Sequence, residues 1–423
     1  MYKKIFLSCI VITVLSVGLR SILPKDTHVH QQDSRGYVSL AQEIHTNGIF
    51  SLGNLPPVAV GYPYFLSRLM YLPGSLELWV FIVQICFVLS TVGLIYFLAR
   101  DLLDGEVANL AALLCSINCG FLTYVHCCLT ETLLTFLYTA FLYCMICFFK
   151  KPTYLKALFA GSLLGFSLWI KPAAWLFGWY LIFIGCVLSF FVKDFLVKNI
   201  IYFSLGFLFF AGTNLLFNYY LFGALAFPPV MYTNLYYLFL PKILAATRDI
   251  SYDGAIAVAH EMSGVQQAAL LMHTLQEYPS VACWIWIQNM VKTIYGLFGA
   301  NLVLLADAAH QATISFFMLS GGIFECIATY CWNPNVPIFL NIITCFDALW
   351  MGIRWVFFLP GVILVYRNVS SSTIYFLVNF LAYFIAITGA DGCARLRMMT
   401  EPVFILITAA GIIFFLRGIP ARY

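Results

Sequence analysis

Of 423 residues only 9% are Asp, Glu, Lys or Arg, while 62% are hydrophobic. That balance excludes a water-soluble globular domain, and a net charge of +4 scattered over short connectors is no footprint for nucleic acid. A chain of this kind satisfies its backbone polar groups inside helices that cross a bilayer.

Lys3 and Lys4 precede a first apolar run at about 5–23. It has the charge and length of a signal peptide but no small-x-small cleavage site; Arg20, Pro24 and Lys25 follow instead, so it reads as an uncleaved anchor with its N-terminus in the cytoplasm. Later runs of spanning length fall at about 76–99, 107–125, 132–149, 157–170, 173–192 and 199–222. Others fall at about 284–305, 313–331, 342–365, 373–389 and 402–417. Asp307 and Glu325 weigh against the pair 284–305 and 313–331, since a charge at a helix centre costs about 2.5–3.5 kcal/mol on insertion scales. The expectation is therefore one membrane-embedded all-α domain over 1–423, with about ten to twelve spans.

The connectors sort into two sets. One is short and basic, with Lys3/Lys4, Arg100, Lys150/Lys151/Lys156, Lys193/Lys198, Arg367 and Arg417/Arg422, which marks it as cytoplasmic. The opposite set holds two long loops, 24–75 and 223–283, the break at Lys171-Pro172 and the segment 390–401. In the first long loop Tyr37, Leu40, Ala41 and Ile44 follow helical spacing opposite Arg35, Gln42, Glu43 and His45, as an amphipathic helix in the headgroup layer does. Residues 265–278 in the second behave alike, and Pro56-Pro57 and Gly61-Tyr62-Pro63 force turns.

Five charged residues fall on that second, outer side. Asp33 stands directly before the amphipathic helix, where it is an N-cap, a catalytic base, or both. Glu131 opens a span, where it serves the helix dipole or a site. Lys171 interrupts an apolar run, either snorkelling to headgroups or binding a lipid phosphate as a point charge. Arg395 and Arg397 lie outside against the usual charge bias, and bidentate phosphate contact is the natural use of such guanidiniums. Carboxylate oxygens of Asp33 and Glu131 also suit a hard divalent cation such as Mg²⁺ or Mn²⁺. His28-Val29-His30 lacks a third ligand at recognisable spacing, and most of the fourteen cysteines lie inside apolar runs as small buried residues. Asp347 and Arg354 read as an intramembrane pair.

In this order the residues resemble the membrane-embedded glycosyltransferases of the GT-C fold, in the branch with protein O-mannosyltransferases and the lipid A aminoarabinose transferase. The likeness rests on Asp33 with Tyr37 four residues on, the amphipathic helix, then Pro56-Pro57 and Gly61-Tyr62-Pro63. It continues through Glu131 at the head of a span, Gly161 to Pro172, and Ala394 to Pro402 before the last span. The chain departs from the pattern at Gln32 and Ser34, where a second acid beside Asp33 is usual, and at Ala394 and Leu396.

The resemblance implies a GT-C-like bundle and a transferase that moves a sugar from a polyprenyl-phosphate donor to an acceptor hydroxyl on a lipid, glycan or protein. It implies a multi-pass plasma membrane protein, a bacterial inner-membrane one, with its site facing outside. Asp33 is then the general base, Glu131 an orienting or metal-binding acid, and Lys171, Arg395 and Arg397 contacts to the donor phosphate. Tyr37 and Tyr62 contact sugar or order the loop. Two alternatives stay open: a transporter or flippase of a lipid-linked saccharide, and a non-catalytic partner of such an enzyme.

Overall fold

The structure is a computed structural model that describes residues 2–23, 32–54, 59–189, 195–223, 234–248, 250–261, 264–299, 301–302, 331–332 and 337–417. Among these the regular structure is helical, with no strand. The helices of the first half are α1 (Tyr2–Ile22), α2 (Gln32–Asn47), α3 (Gly61–Leu69), α4 (Leu76–Leu102) and α5 (Gly105–Ser116). They continue as α6 (Cys119–Tyr124), α7 (Glu131–Lys150), α8 (Tyr154–Ile170), α9 (Trp175–Ser189) and α10 (Phe195–Phe222). A second group comprises α11 (Leu240–Thr247), α12 (Tyr252–His260), α13 (Gly264–Glu277) and α14 (Pro279–Tyr295). Last come α15 (Ile338–Asn368), α16 (Ser371–Ala386) and α17 (Glu401–Arg417).

Seven of the described helices, α1, α4, α7, α9, α10, α15 and α16, are long and apolar enough to cross a membrane. The expected span 107–125 is broken: Asn118 accepts hydrogen bonds from the backbone N–H of Gly120 (2.9 Å) and Phe121 (3.4 Å), ending α5 and starting α6. The expected span 284–305 becomes α14, which stops at Tyr295 before Gly296. Residues 313–330 lie outside the described residues, as do Pro56-Pro57 and His28-Val29-His30.

Ion pairs show which ends of the helices lie together. At one end Arg417 bridges Asp104 (2.7 Å) and Glu106 (2.6 Å), and Lys150 stands 3.9 Å from Asp101. At the other end lie the Arg20–Glu77 pair, the head of α7, the C-terminus of α8 and the head of α17.

Glycine sets the tightest packing. A Cβ on Gly161 would come 2.0 Å from the Phe203 carbonyl oxygen and one on Gly206 2.3 Å from that of Leu158, so α8 and α10 touch backbone to backbone. Gly361 and Gly411 do the same for α15 and α17, each 1.9 Å from the facing carbonyl oxygen of Ile407 or Phe357. In lipid, where helices gain little from mutual apolarity, close van der Waals contact across small residues is a principal source of association. The helix α17 is buried almost along its length and forms the centre of the bundle.

Candidate active site

Four separated pieces of chain meet at the end that holds the heads of α7 and α17. The first is α2, whose apolar stripe is buried through Ala41 and Ile44, fixing the helix against the bundle. Asp33 sits in its first turn, inside the helix, not at the N-cap position the sequence suggested. The second is the head of α7 with Glu131. The third is Lys171: Pro172 lacks an N–H and forces its neighbour out of the helical region, so α8 stops at Ile170 and Lys171 is extended (φ −158°, ψ 125°). The fourth is a 3₁₀ segment, Ala394–Met399, which carries both arginines. Its Met398 carbonyl accepts from Thr135 Oγ1 at 3.1 Å, which ties it to the first turns of α7.

Arg395 joins the two acids. Its Nη2 donates to Asp33 Oδ2, and its Nε lies 2.9 Å from Glu131 Oε1. Glu131 and Arg395 are largely enclosed, their side chains 5% and 20% exposed, whereas Asp33 is 49% exposed and open to solvent. Burial alone lifts the Asp33 carboxyl, but the charge and hydrogen bond of Arg395, with the charge of Lys171 behind them, hold it below its ordinary value. The structure thus brings together Asp33, Glu131, Lys171 and Arg395.

Tyr37 and Tyr62 order this corner. Their rings meet edge to face at 5.2 Å, and Tyr62 is 1% exposed. Burial, with a contribution from nearby Glu131, pushes the Tyr37 phenol well up, so both rings stay neutral. Tyr62 OH accepts from Gln84 Nε2 (3.3 Å), whose Oε1 accepts from Thr132 Oγ1 at 2.6 Å, next to Glu131. Gly61 is needed here, since a Cβ would meet the Trp169 carbonyl oxygen at 2.4 Å. That contact presses the first long loop onto the end of α8 beside Lys171.

Arg397 is elsewhere. Its Nε lies 3.0 Å from Glu401 Oε2, and its Nη1 donates to the carbonyls of Thr293, Ile294 and Gly296 at 3.1, 2.8 and 2.7 Å. Glu401 also accepts from Asn118 (2.6 Å) and from both terminal nitrogens of Arg354. Arg354 is therefore paired with Glu401, while Asp347, its expected partner, accepts from the Gly299 N–H at 2.8 Å. Arg397 is 1% exposed, so the structure places it in the interior, apart from the Asp33–Arg395 cluster.

Several residues here carry no sequence signature that singled them out. Gln84 and Asn118 are amide residues inside apolar runs, which is the available signal, since such groups in a span usually have partners. Lys242 of α11 donates to the Asp391 carbonyl (2.9 Å) and to Asn289 Oδ1 (3.4 Å), tying the second long loop to the segment before Arg395.

The Arg395 guanidinium stands between the two carboxylates that the sequence offers for a divalent cation. Among the described residues no group of three or more His, Cys, Asp or Glu gathers where an ion would be held. The donor set as built fits a guanidinium better than a metal.

This is the architecture of a multi-pass membrane protein with a polar cluster at one end of its bundle. The profile of the family described as dolichyl-phosphate-mannose-protein mannosyltransferase matches residues 56–217, which include Glu131 and Lys171. The fold is similar to the Archaeoglobus fulgidus oligosaccharyltransferase in its apo form, with a TM-score of 0.50 and 14% identity over 97% of this chain and 51% of that one. The archaeal oligosaccharyltransferase of the same organism in complex with an inhibitory peptide and a dolichol-phosphate matches with a TM-score of 0.49 and 14% identity, over 99% of this chain and 52% of that one. The chain spans about half the length of these solved structures. No curated protein matches it significantly. The fold is GT-C-like, as the resemblance implied.

Proposed function

We propose that the chain is a membrane glycosyltransferase that moves a sugar from a polyprenyl-phosphate donor to an acceptor hydroxyl at the outer face of the membrane. The observation that carries it is the Asp33–Arg395–Glu131 cluster, assembled from the first long loop, the head of α7 and the last outer segment, with Lys171 beside it. A donor whose tail stays in lipid while its phosphosugar meets water needs acid and cations at one boundary of the bundle, and that is where they gather. The basic connectors at the opposite end support an outward-facing site.

In this reading Asp33 is the general base. It takes the acceptor's proton as the acceptor oxygen attacks the anomeric carbon, the bond to the phosphate oxygen breaks, and the configuration at that carbon inverts. The departing lipid phosphate gains charge, which Lys171 and Arg395 offset. Without donor, Arg395 is engaged with both acids; a phosphate competes for it and frees the exposed carboxylate of Asp33. Glu131, buried behind, holds the guanidinium in place through its Nε. Tyr37 and Tyr62 shape the loop that presents Asp33.

The charges of the bundle interior favour this reading over a transporter. Arg397 and Glu401 lie at the first turn of α17, the same end as Asp33, and Arg354 reaches Glu401 there from the middle of α15, whereas a translocation path carries polar groups near the midplane. The test is mass spectrometry of glycolipids and glycoproteins from cells with the chain, without it, and with Asp33→Asn. A sugar present only with the unaltered chain identifies donor and acceptor together; identical profiles in all three reject the proposal.

A further inference from the structure

Far from the Asp33–Arg395 cluster, at the end of the bundle that holds Lys150 and Arg417, a cavity of about 550 Å³ opens between α7, α9, α10 and α16. Its size lies within the range of about 300–1,000 Å³ typical of small-molecule sites. The walls are apolar, formed by side chains such as Met145, Phe149, Leu181, Ile184, Leu188 and Phe203. Ser371 and Ser372, at the head of α16, stand at its mouth.

Two features decide what enters. On the side toward the cluster Tyr180 OH contacts Tyr375 OH (2.9 Å) and Asn379 Oδ1 (2.7 Å), joining α9 to α16. One turn further along the same stripe of α9, Phe177 is completely buried against Phe380 and Phe384, with ring centroids at 5.9 and 5.8 Å. A lipid tail descending from the cluster along this stripe meets that aromatic wall. Toward the other end two exposed lysines flank the lining residues along the chain. Lys151 follows the lining residue Phe149 by two positions and Lys198 directly precedes the lining residue Asn199, and both are exposed. Lys156 crosses the same connector, its Nζ donating to the carbonyls of Cys147 (2.8 Å) and Lys151 (2.9 Å).

We infer that this cavity is a binding site for an anionic phospholipid of the leaflet at the basic end, with an acyl chain between α9, α10 and α16 and the headgroup phosphate at Lys151, Lys198 and the two serines. Basic pockets between transmembrane helices on the cytoplasmic side are suited to such headgroups. An acyl chain gains little by leaving neighbouring lipid for an apolar groove, because lipid tails are as apolar as the walls. Selectivity therefore comes from the rim, and the groove supplies shape. The inference is independent of the reaction at the opposite end.

The test is native mass spectrometry of the full chain after reconstitution in vesicles of equal phosphatidylcholine and phosphatidylglycerol. Phosphatidylglycerol is expected to be retained several-fold over phosphatidylcholine. Leu188→Trp, which fills the groove, removes the adduct. The double variant Lys151→Glu, Lys198→Glu keeps a lipid but loses the preference. Equal retention of the two lipids by the unaltered chain overturns the inference, as does an adduct that neither variant changes or a polyprenyl phosphate retained in their place. Should Leu188→Trp not yield monodisperse protein, the charge variant decides alone, because both its side chains lie exposed.

Discussion

Arg395 and Arg397 stand two residues apart on one 3₁₀ segment and serve separate networks. Arg395 bridges Asp33 and Glu131 at the edge of solvent, and Arg397 binds Glu401 and three backbone carbonyls in the interior. With three residues to a turn, positions i and i+2 point in different directions, so one short segment has one arginine at the site and one in the core.

That division predicts opposite phenotypes. Arg395→Gln is expected to cut sugar transfer with a smaller loss of thermal stability than Arg397→Gln, because Asp33 is half exposed and only Glu131 is left enclosed without its guanidinium. Arg397→Gln leaves Glu401 with one guanidinium fewer in a fully buried setting, where breaking a pair costs about 3–5 kcal/mol, so stability and yield fall first. Measuring transfer and unfolding midpoints for both variants separates the roles. A stable Arg397→Gln protein with lost donor use would return Arg397 to the phosphate contacts.

The glycine contacts give a second contrast. Gly361→Leu pushes a side chain into the Ile407 carbonyl and has to separate α15 from α17, and Gly161→Leu acts likewise on α8 and α10. Gly36→Ala meets nothing within 4 Å. The expectation is loss of monodisperse protein for the first two and an unchanged elution profile for the third, read by size-exclusion chromatography. Normal folding of Gly361→Leu would mean the two helices are not held backbone to backbone.

The helical membrane class was legible because apolar run length and charge placement report directly on the bilayer. Their common side of the membrane suggested that Asp33, Glu131, Lys171, Arg395 and Arg397 converge; Arg395 meets both acids, whereas Arg397 faces the interior. The break at Asn118 was not legible, since Asn118 is one of several small polar residues inside 107–125 and only its side chain caps a new helix. The Arg354–Glu401 pair was missed for a related reason. Spacing along one helix suggested Asp347, but the partner came from a helix packed alongside, and sequence distance says nothing about that.

Lys171 tests whether the break in α8 serves the donor or only the lipid boundary. As a point charge beside Asp33 it should lower the Michaelis constant for the donor more than it raises turnover. Lys171→Ala is expected to raise that constant at nearly constant unfolding temperature, with Lys171→Arg restoring much of the loss. An unchanged donor dependence in Lys171→Ala would leave a lysine that only snorkels to headgroups.

The pH profile bears most directly on Asp33. Burial pushes its carboxyl up, but Arg395 and Lys171 outweigh that and hold it below the ordinary value of about 3.9. A carboxyl whose folded pKa is depressed contributes stability above its unfolded pKa, and the contribution is lost as pH falls through the folded one. As the base it is ionised over the same range, so the acid limb of kcat/KM should lie below about pH 4. Arg395→Gln removes the dominant opposing charge and leaves burial against Lys171 alone, so the limb moves upward in whatever activity survives. Asp33→Asn should lower transfer by roughly 10²–10⁴-fold, the usual contribution of a general base, with helicity and elution profile intact. A limb near neutral pH that Arg395→Gln leaves in place would assign the proton transfer to another group.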